Sequence, residues 1–240
     1  MALAFPASGR EAEPRPVPGM IAAEFGLSDP WFAHYSQTRG IPVVGSAGVD
    51  AATLAIARRT LSRMLATAPN DVARRLRRAK FRVVVSARGE PVTAIPAVRD
   101  RLGADAASRY WAGFGATRGW PLCVATEANL ADGQGDENIL VYSLATSIAE
   151  LALEPARRSF GAQRDRAYAH ALTSGLWANS YARATVDTYW GEGVQSYFNA
   201  NREGGRNGDG IHGHVNTRRE LKAHDPQLYR LIEDAFGPGR

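Results

Sequence analysis

Three hydroxyl side chains, Tyr142, Ser143 and Thr146, lie close together within one apolar stretch of the chain. The apolar residues around them recur at the spacing of one buried helix face, which predicts a helix over residues 138–151 with Asp136 as its N-cap. Tyr142 and Thr146 are four residues apart, so they project from the same face, one turn above the other. Two histidines at this spacing can share a metal ion. A phenol and a hydroxyl instead offer hydrogen bonds, so the stretch predicts either a polar binding surface or an ordinary buried helix.

A second group of polar residues, Tyr181, Thr188 and Glu192, lies further along the chain. Thr188 and Glu192 are one turn apart on a predicted helix over residues 185–198. Tyrosine and glutamate can act as general acid or base when burial adjusts their pKa values. We therefore take Tyr181 and Glu192 as candidate catalytic residues and Thr188 as a candidate substrate contact.

The glycine- and asparagine-rich loop over residues 199–213 ends close to a histidine pair, His212 and His214. At this spacing the pair could hold a metal, but Asp209 is the only acidic residue nearby in sequence. We interpret His214 instead as a proton donor at the edge of the site, and so as a third candidate catalytic residue. No metal ligand set is predicted.

The sequence offers little support for a covalent nucleophile. Ser143 has no identifiable histidine and aspartate partners on neighbouring turns, so a hydrolase triad is not indicated. Cys123 follows Pro-Leu in a predicted strand and lacks the features that activate a thiol.

Length and composition indicate an ordinary soluble protein. The chain has 240 residues, of which 45% are hydrophobic and 22% charged, enough for a sizeable core. A single cysteine fits a reducing compartment. Neither a secretory leader nor an unbroken apolar run of about 18 residues is seen, so we expect a cytoplasmic protein with no membrane partner. Nothing in the sequence indicates the oligomeric state.

The formal net charge is +5, and the basic residues concentrate over residues 74–82. A cluster of this kind can bind nucleic acid. It falls on a short predicted helix whose Val72 and Leu76 face inward, and no nucleic-acid motif accompanies it. We interpret it as solvated surface and expect no nucleic-acid partner.

The predicted elements mix strands and helices without regular alternation, which indicates an α+β fold with a small mixed sheet and several packed helices. Strands are predicted at residues 81–86, 92–95 and 119–126. Residues 1–39 are assigned to an N-terminal arm and edge segment, partly disordered, and residues 40–240 to one domain.

The predicted helices have clear start signals. Asp50 precedes a helix to about Thr67, Thr217 opens a capping box with Glu220, and Asp225-Pro226 begins a final helix to Phe236. A polar helix is predicted over residues 160–173.

Two glycines, Gly191 and Gly193, fall inside the predicted 185–198 helix. Each costs roughly 1 kcal/mol relative to alanine in a helix interior. Their presence predicts close helix packing or room kept for a site.

Three segments, taken in order, resemble zinc metallopeptidases of the anthrax lethal-factor catalytic-domain type, which are gluzincins. They are Gly-Asp-Glu-Asn-Ile-Leu-Val at 135–141, the run 181–198, and His-Val-Asn-Thr-Arg at 214–218. The resemblance covers roughly residues 40–236 and lies in the order of elements and in the residues flanking the motifs. It implies a zincin-like fold.

The same resemblance implies that the zinc site has been lost. Tyr142 and Thr146 match the positions of the two histidines of H-E-x-x-H, and Ser143 matches the general-base glutamate. The third ligand, a glutamate seven residues after a transition-state tyrosine, is matched by Thr188, whereas Tyr181 itself is kept. Because zinc sites are made from Cys, His and carboxylate ligands, the resemblance implies no zinc and no other cofactor. Hydrolysis through a zinc-bound hydroxide would then have no support.

Two functions from different classes follow. The first is a metal-independent enzyme whose old cleft carries out cyclisation, elimination or isomerisation of a small-molecule or peptidic intermediate, with Tyr142, Ser143, Thr146 and Thr188 binding the substrate. Such an enzyme would suit specialised metabolism. The second is a catalytically inactive pseudopeptidase that binds a peptide or protein partner in the old groove. A structural interpretation stands beside both: Tyr142 and Thr146 simply fill the space left by the metal.

Overall fold

A five-stranded mixed sheet organises the computed structural model, which describes residues 15–103, 112–132 and 137–238. The strand order is β1-β2-β3-β5-β4, with β2, β3 and β5 parallel and the outer pairs β1–β2 and β4–β5 antiparallel. The strands are β1 (His34–Thr38), β2 (Ile41–Gly45), β3 (Arg82–Ser86), β4 (Gly113–Phe114) and β5 (Leu122–Thr126).

Helices cover both faces of this sheet, which explains why its central strands are continuous apolar runs. Val83, Val84 and Val85 are all fully buried, as expected for parallel strands covered on both sides. Because side chains alternate across a strand, Val83 and Val85 join the large helical core, whereas Val84 joins a smaller core beneath the N-terminal segment.

The helices follow in chain order. They are α1 (Gly19–Phe25), α2 (Ala51–Ala66), α3 (Asn70–Arg78), α4 (Pro96–Leu102), α5 (Glu127–Asp132), α6 (Ile139–Ile148), α7 (Phe160–Thr173), α8 (Val186–Tyr197), α9 (Arg218–His224) and α10 (Pro226–Phe236).

Most start signals predicted from the sequence are confirmed. Asp50 caps α2 by accepting a hydrogen bond from the backbone N–H of Ala52. Thr217 and Glu220 form the reciprocal capping box of α9, and Asp225 caps α10 with proline at its first turn.

The strand predicted at residues 92–95 is wrong. Residues Val92–Ala94 form a 3₁₀ turn that leads into α4, whose first residue is Pro96. Proline at the first helical position is pre-set for a helix start, and this outweighs the β-branched residues before it.

The start of α6 also differs from the prediction. Asp136, the predicted N-cap, lies outside the described residues, and Asn138 occupies the N-cap position without a side-chain cap hydrogen bond. The first helical N–H, of Ile139, is instead satisfied by Oδ1 of Asn129 at 2.9 Å. Asn129, ten residues earlier in α5, therefore supplies the acceptor that an N-cap residue would otherwise provide.

Helix α6 continues through a π turn at Ala149–Leu153 and one further turn at Glu154–Ala156. The stretch Ile139–Ala156 has a mean hydropathy of 1.3. It is long and apolar enough to cross a membrane, although it contains no unbroken apolar run. Because 61% of it is buried in the fold, it has the character of a core helix.

The N-terminal segment contributes to the sheet. Within its described part, α1 ends at Phe25, which is buried together with Phe32 and Tyr35 in the smaller core. Strand β1 forms one edge of the sheet. Residues 1–14, assigned to the arm, lie outside the described residues.

Candidate functional site

Tyr142 lies in the contact between helices α6 and α8, and Gly191 makes this contact possible. A Cβ built on Gly191 would lie 2.3 Å from Cε2 of Tyr142, closer than side-chain atoms approach one another. The indole N–H of Trp190 donates to the carbonyl oxygen of Ala145 at 2.9 Å and ties the same two helices together. The glycine predicted to mark close packing therefore does so, and it fixes the position of the Tyr142 ring.

Tyr181 faces Tyr142 from the turn that precedes α8. The two ring centroids are 6.4 Å apart, and Tyr181 is 46% exposed. Burial raises the pKa of the Tyr142 phenol, and the neighbouring Tyr181, Glu192 and Asp187 raise it further. Tyr142 thus stays protonated and can donate a hydrogen bond across the physiological pH range.

Glu192 is the buried carboxyl of the group, only 4% exposed. The side-chain amide of Asn201 donates to its Oε2 at 3.0 Å. Burial raises the pKa of Glu192 to about 7; the amide of Asn201 opposes the rise, Glu137 adds to it, and His212 opposes it. A carboxyl with this pKa exchanges its proton near neutral pH, as a general acid or base requires.

Three of these neighbours were not predicted as site residues. The imidazole of His212 lies between Glu137 and Asp209, with its Nε2 3.3 Å from Oε2 of Glu137 and its Nδ1 3.3 Å from Oδ2 of Asp209. Asn201 stands at the start of the same loop. For Asn201 and His212 the sequence signal was the polar loop 199–213, and for Glu137 it was the segment 135–141. A single sequence does not show which of these residues fold inward.

The structure places two of the predicted substrate contacts, Thr188 and Ser143, in different surroundings. The hydroxyl of Thr188 donates to the carbonyl oxygen of Thr185 at 2.8 Å and accepts from its N–H at 2.8 Å, completing the capping box of α8. The Ser143 hydroxyl is fully buried and has no hydrogen-bond partner among the described residues. The Thr188 hydroxyl is thus engaged within its own helix, whereas the Ser143 hydroxyl is enclosed and unpaired among the described residues.

Thr146 lies at the edge of a charged pocket of about 260 Å³. Its hydroxyl donates back to the carbonyl oxygen of Ser143 at 3.1 Å. In the pocket, Glu154 bridges two arginines, Arg118 at 2.8 Å and Arg164 at 3.1 Å. The remaining lining residues are Glu150 and Asp187.

His214 lies in a different pocket, of about 250 Å³, together with Trp177 and His224. Its ring packs edge-on against that of His224 with the centroids 4.8 Å apart. The histidine in the surroundings of Glu192 is therefore His212, whereas the sequence pointed to His214. An i, i+2 spacing in a loop does not show which of the two side chains turns inward.

A zinc ion does not fit the donor set at this position. Helix α6 presents Tyr142, Ser143 and Thr146, and the facing turn of α8 presents Thr188. Within residues 15–103, 112–132 and 137–238, no group of three or more His, Cys, Asp or Glu side chains could hold a metal ion. Structural and catalytic zinc sites need at least three such ligands.

Comparison with known proteins gives one result, at the level of the fold. No family model and no curated protein matches the sequence. Among solved structures, the Pro-Pro endopeptidase from Paenibacillus alvei matches with a TM-score of 0.54 at 15% sequence identity, over 80% of this chain and 96% of that one. The predicted fold class is thereby confirmed: the chain has an α+β, zincin-like fold.

Proposed function

We propose that this protein is a metal-independent enzyme that uses acid/base chemistry on a small-molecule or peptidic substrate. The observation that supports the proposal best is Glu192, a buried carboxyl whose pKa is about 7 and which interacts electrostatically with the Tyr142 phenol. A strongly perturbed acid in such surroundings is a hallmark of catalytic sites. The zincin-like fold supplies the framework but, with no fitting ligand set for zinc, not its hydrolytic chemistry.

In this proposal each group has a role that its surroundings favour. Glu192 takes a proton from one atom of the substrate and returns it to another, as cyclisation, elimination and isomerisation require. The phenols of Tyr142 and Tyr181 donate hydrogen bonds to the oxygen on which negative charge develops. Tyr181, half exposed, is the member of the pair that a substrate meets first. We place the enzyme in the cytoplasm and in specialised metabolism.

The reaction named for the structural neighbour, cleavage of a Pro-Pro bond, is not carried over to this chain. Among the candidate residues, Glu192 is the one carboxylate, and Tyr142, Ser143 and Thr146 on α6 are not zinc ligands. A zinc-bound water has no holder in this set.

The proposal is tested by deleting the gene in its host and comparing the metabolites of the deletion strain with those of complemented strains. Wild type should restore a missing product, whereas Glu192→Gln and Tyr181→Phe should leave its precursor accumulated. Glu203→Gln, which makes the same substitution at an exposed position, is the matched control and should restore the product. Full restoration by both Glu192→Gln and Tyr181→Phe would refute the assignment.

The alternative is a pseudopeptidase that binds a peptide or partner protein without chemistry. The charged pocket beside Thr146 favours it, because the ion pairs of Glu154 with Arg118 and Arg164 join two helices and the β4–β5 turn into a charged recognition surface. The probe is a fluorescent hexapeptide library. Binding by wild type that is lost in Thr146→Phe, with every bound peptide recovered intact, would support this alternative over the enzyme.

A further inference from the structure

One loop, residues 199–213, contacts both groups to which we assign catalysis. Asn201, at its start, donates to Glu192 at 3.0 Å. At its other end, the carbonyl oxygen of Ile211 accepts a hydrogen bond from the backbone N–H of Tyr181 at 2.7 Å. Tyr181 and Glu192 therefore depend on the same loop for their relative position.

His212 fixes this loop to the body of the protein. It is only 7% exposed, and its backbone N–H donates to Oδ1 of Asp209 at 2.7 Å. Its two ring nitrogens each lie 3.3 Å from a carboxylate oxygen, one of Asp209 and one of Glu137. Both ring nitrogens therefore lie against carboxylates, and the contact with Glu137 ties the loop to the segment that leads into α6.

Glu137 continues the network from His212 into helix α8. The side-chain amide of Gln195 donates to Oε1 of Glu137 at 3.3 Å and to the carbonyl oxygen of Asn138 at 3.1 Å. Gln195 is fully buried and stands three residues after Glu192, on the neighbouring turn of the same helix. The hydrogen-bonded chain thus runs from the loop to the helix that carries Glu192.

We propose that His212 is a positioning residue of the candidate site: held between Asp209 and Glu137, it locks the 199–213 loop and offsets the negative charge that Glu137 places beside Glu192. This inference rests on the proposed role of Glu192 as the proton-exchanging group. It gives His212, Glu137 and the 199–213 loop a role in the candidate site. His214, two residues away, takes no part in it.

The charges around Glu192 predict that two substitutions shift its titration midpoint in opposite directions. Replacing the imidazole in His212→Gln removes the group that opposes the effect of Glu137, so the ionised form of Glu192 becomes less favourable and its titration midpoint rises. Removing the charge in Glu137→Gln takes away a repelling carboxylate, so the midpoint falls. Among the described residues, the Asn201 amide and the Tyr142 phenol also interact with Glu192, and neither substitution removes them.

The experiment is a carboxyl-carbon NMR titration of the full chain labelled in its glutamates, with Glu192 assigned by loss of its signal in Glu192→Gln. We expect His212→Gln to raise the midpoint by on the order of half a pH unit or more, and Glu137→Gln to lower it. His214→Gln is the matched control and should leave it unchanged. Near-ultraviolet circular dichroism reports whether each variant keeps the native packing.

Equal midpoints in wild type and His212→Gln, or shifts of the same sign in His212→Gln and Glu137→Gln, would overturn the proposal. If His212→Gln fails to fold, the direction of the Glu137→Gln shift decides alone: an unchanged or raised midpoint refutes it. The titration uses no substrate. An inactive protein with the expected shifts would therefore refute the proposed reaction but not the role of His212.

Discussion

Replacing Gly191 by alanine tests whether the Tyr142 ring is held by the contact between α6 and α8. The new Cβ would lie 2.3 Å from Cε2, 2.4 Å from Cδ2 and 2.9 Å from Cζ of Tyr142, so the ring has to move. Overpacking of this kind costs about 1–3 kcal/mol, while alanine regains roughly 1 kcal/mol of helix propensity. We therefore expect a net loss of up to about 2 kcal/mol in the free energy of unfolding.

Gly161, in helix α7, is the matched control. Nothing lies within 4 Å of a Cβ built at this position. The same substitution there should therefore stabilise the protein by about 0.4–1 kcal/mol. Urea denaturation followed by tryptophan fluorescence measures both variants, and the difference between them isolates the clash from the change in propensity.

A double-mutant cycle identifies the partner in the clash. In the Tyr142→Ala background the ring is gone, so Gly191→Ala should lose its penalty and become neutral or stabilising. The expected coupling energy is about 1–3 kcal/mol. The reasoning is refuted if Gly191→Ala is as stabilising as Gly161→Ala, or if the effects of Gly191→Ala and Tyr142→Ala simply add.

Three further outcomes are expected. The pKa of Glu192 is raised from its ordinary 4.5 to about 7 in the folded state. Its contribution to stability is therefore fully present below pH 4.5 and lost as the pH rises through 7, by up to about 3 kcal/mol; denaturation at several pH values should show a flatter profile for Glu192→Gln. Thr188→Val removes the reciprocal bond of the α8 capping box and should cost about 1 kcal/mol by the same assay. Burial raises the pKa of the Cys123 thiol to about 12, so a thiol reagent should label it only in denaturant; rapid labelling of the native protein would contradict its burial.

Local signals were sufficient where a single residue type decides the backbone. Asp50, Thr217 and Asp225 marked helix starts because a short polar side chain can satisfy the free N–H groups of a first turn. The β-branched run of β3 marked a buried strand. At residues 92–95 the same kind of signal failed, because Pro96 sets a helix start that the apolar pattern does not show.

The same distinction between local signals and tertiary contacts applies to the candidate site. The sequence by itself determined the residue types on α6 and α8: hydroxyls one turn apart on α6, two glycines inside α8, and Glu192 one turn after Thr188. These follow from helical spacing, which is a local property.

Only the tertiary structure decided which polar groups meet. The Thr188 hydroxyl is consumed by its own helix cap, and the 199–213 loop turns His212 rather than His214 toward Glu137 and Glu192. Burial, which raises the pKa of Glu192, depends on contacts between segments far apart in the chain. The spacing of residues in a single sequence carries no information about those contacts, and the raised pKa of Glu192 arises only in the folded protein.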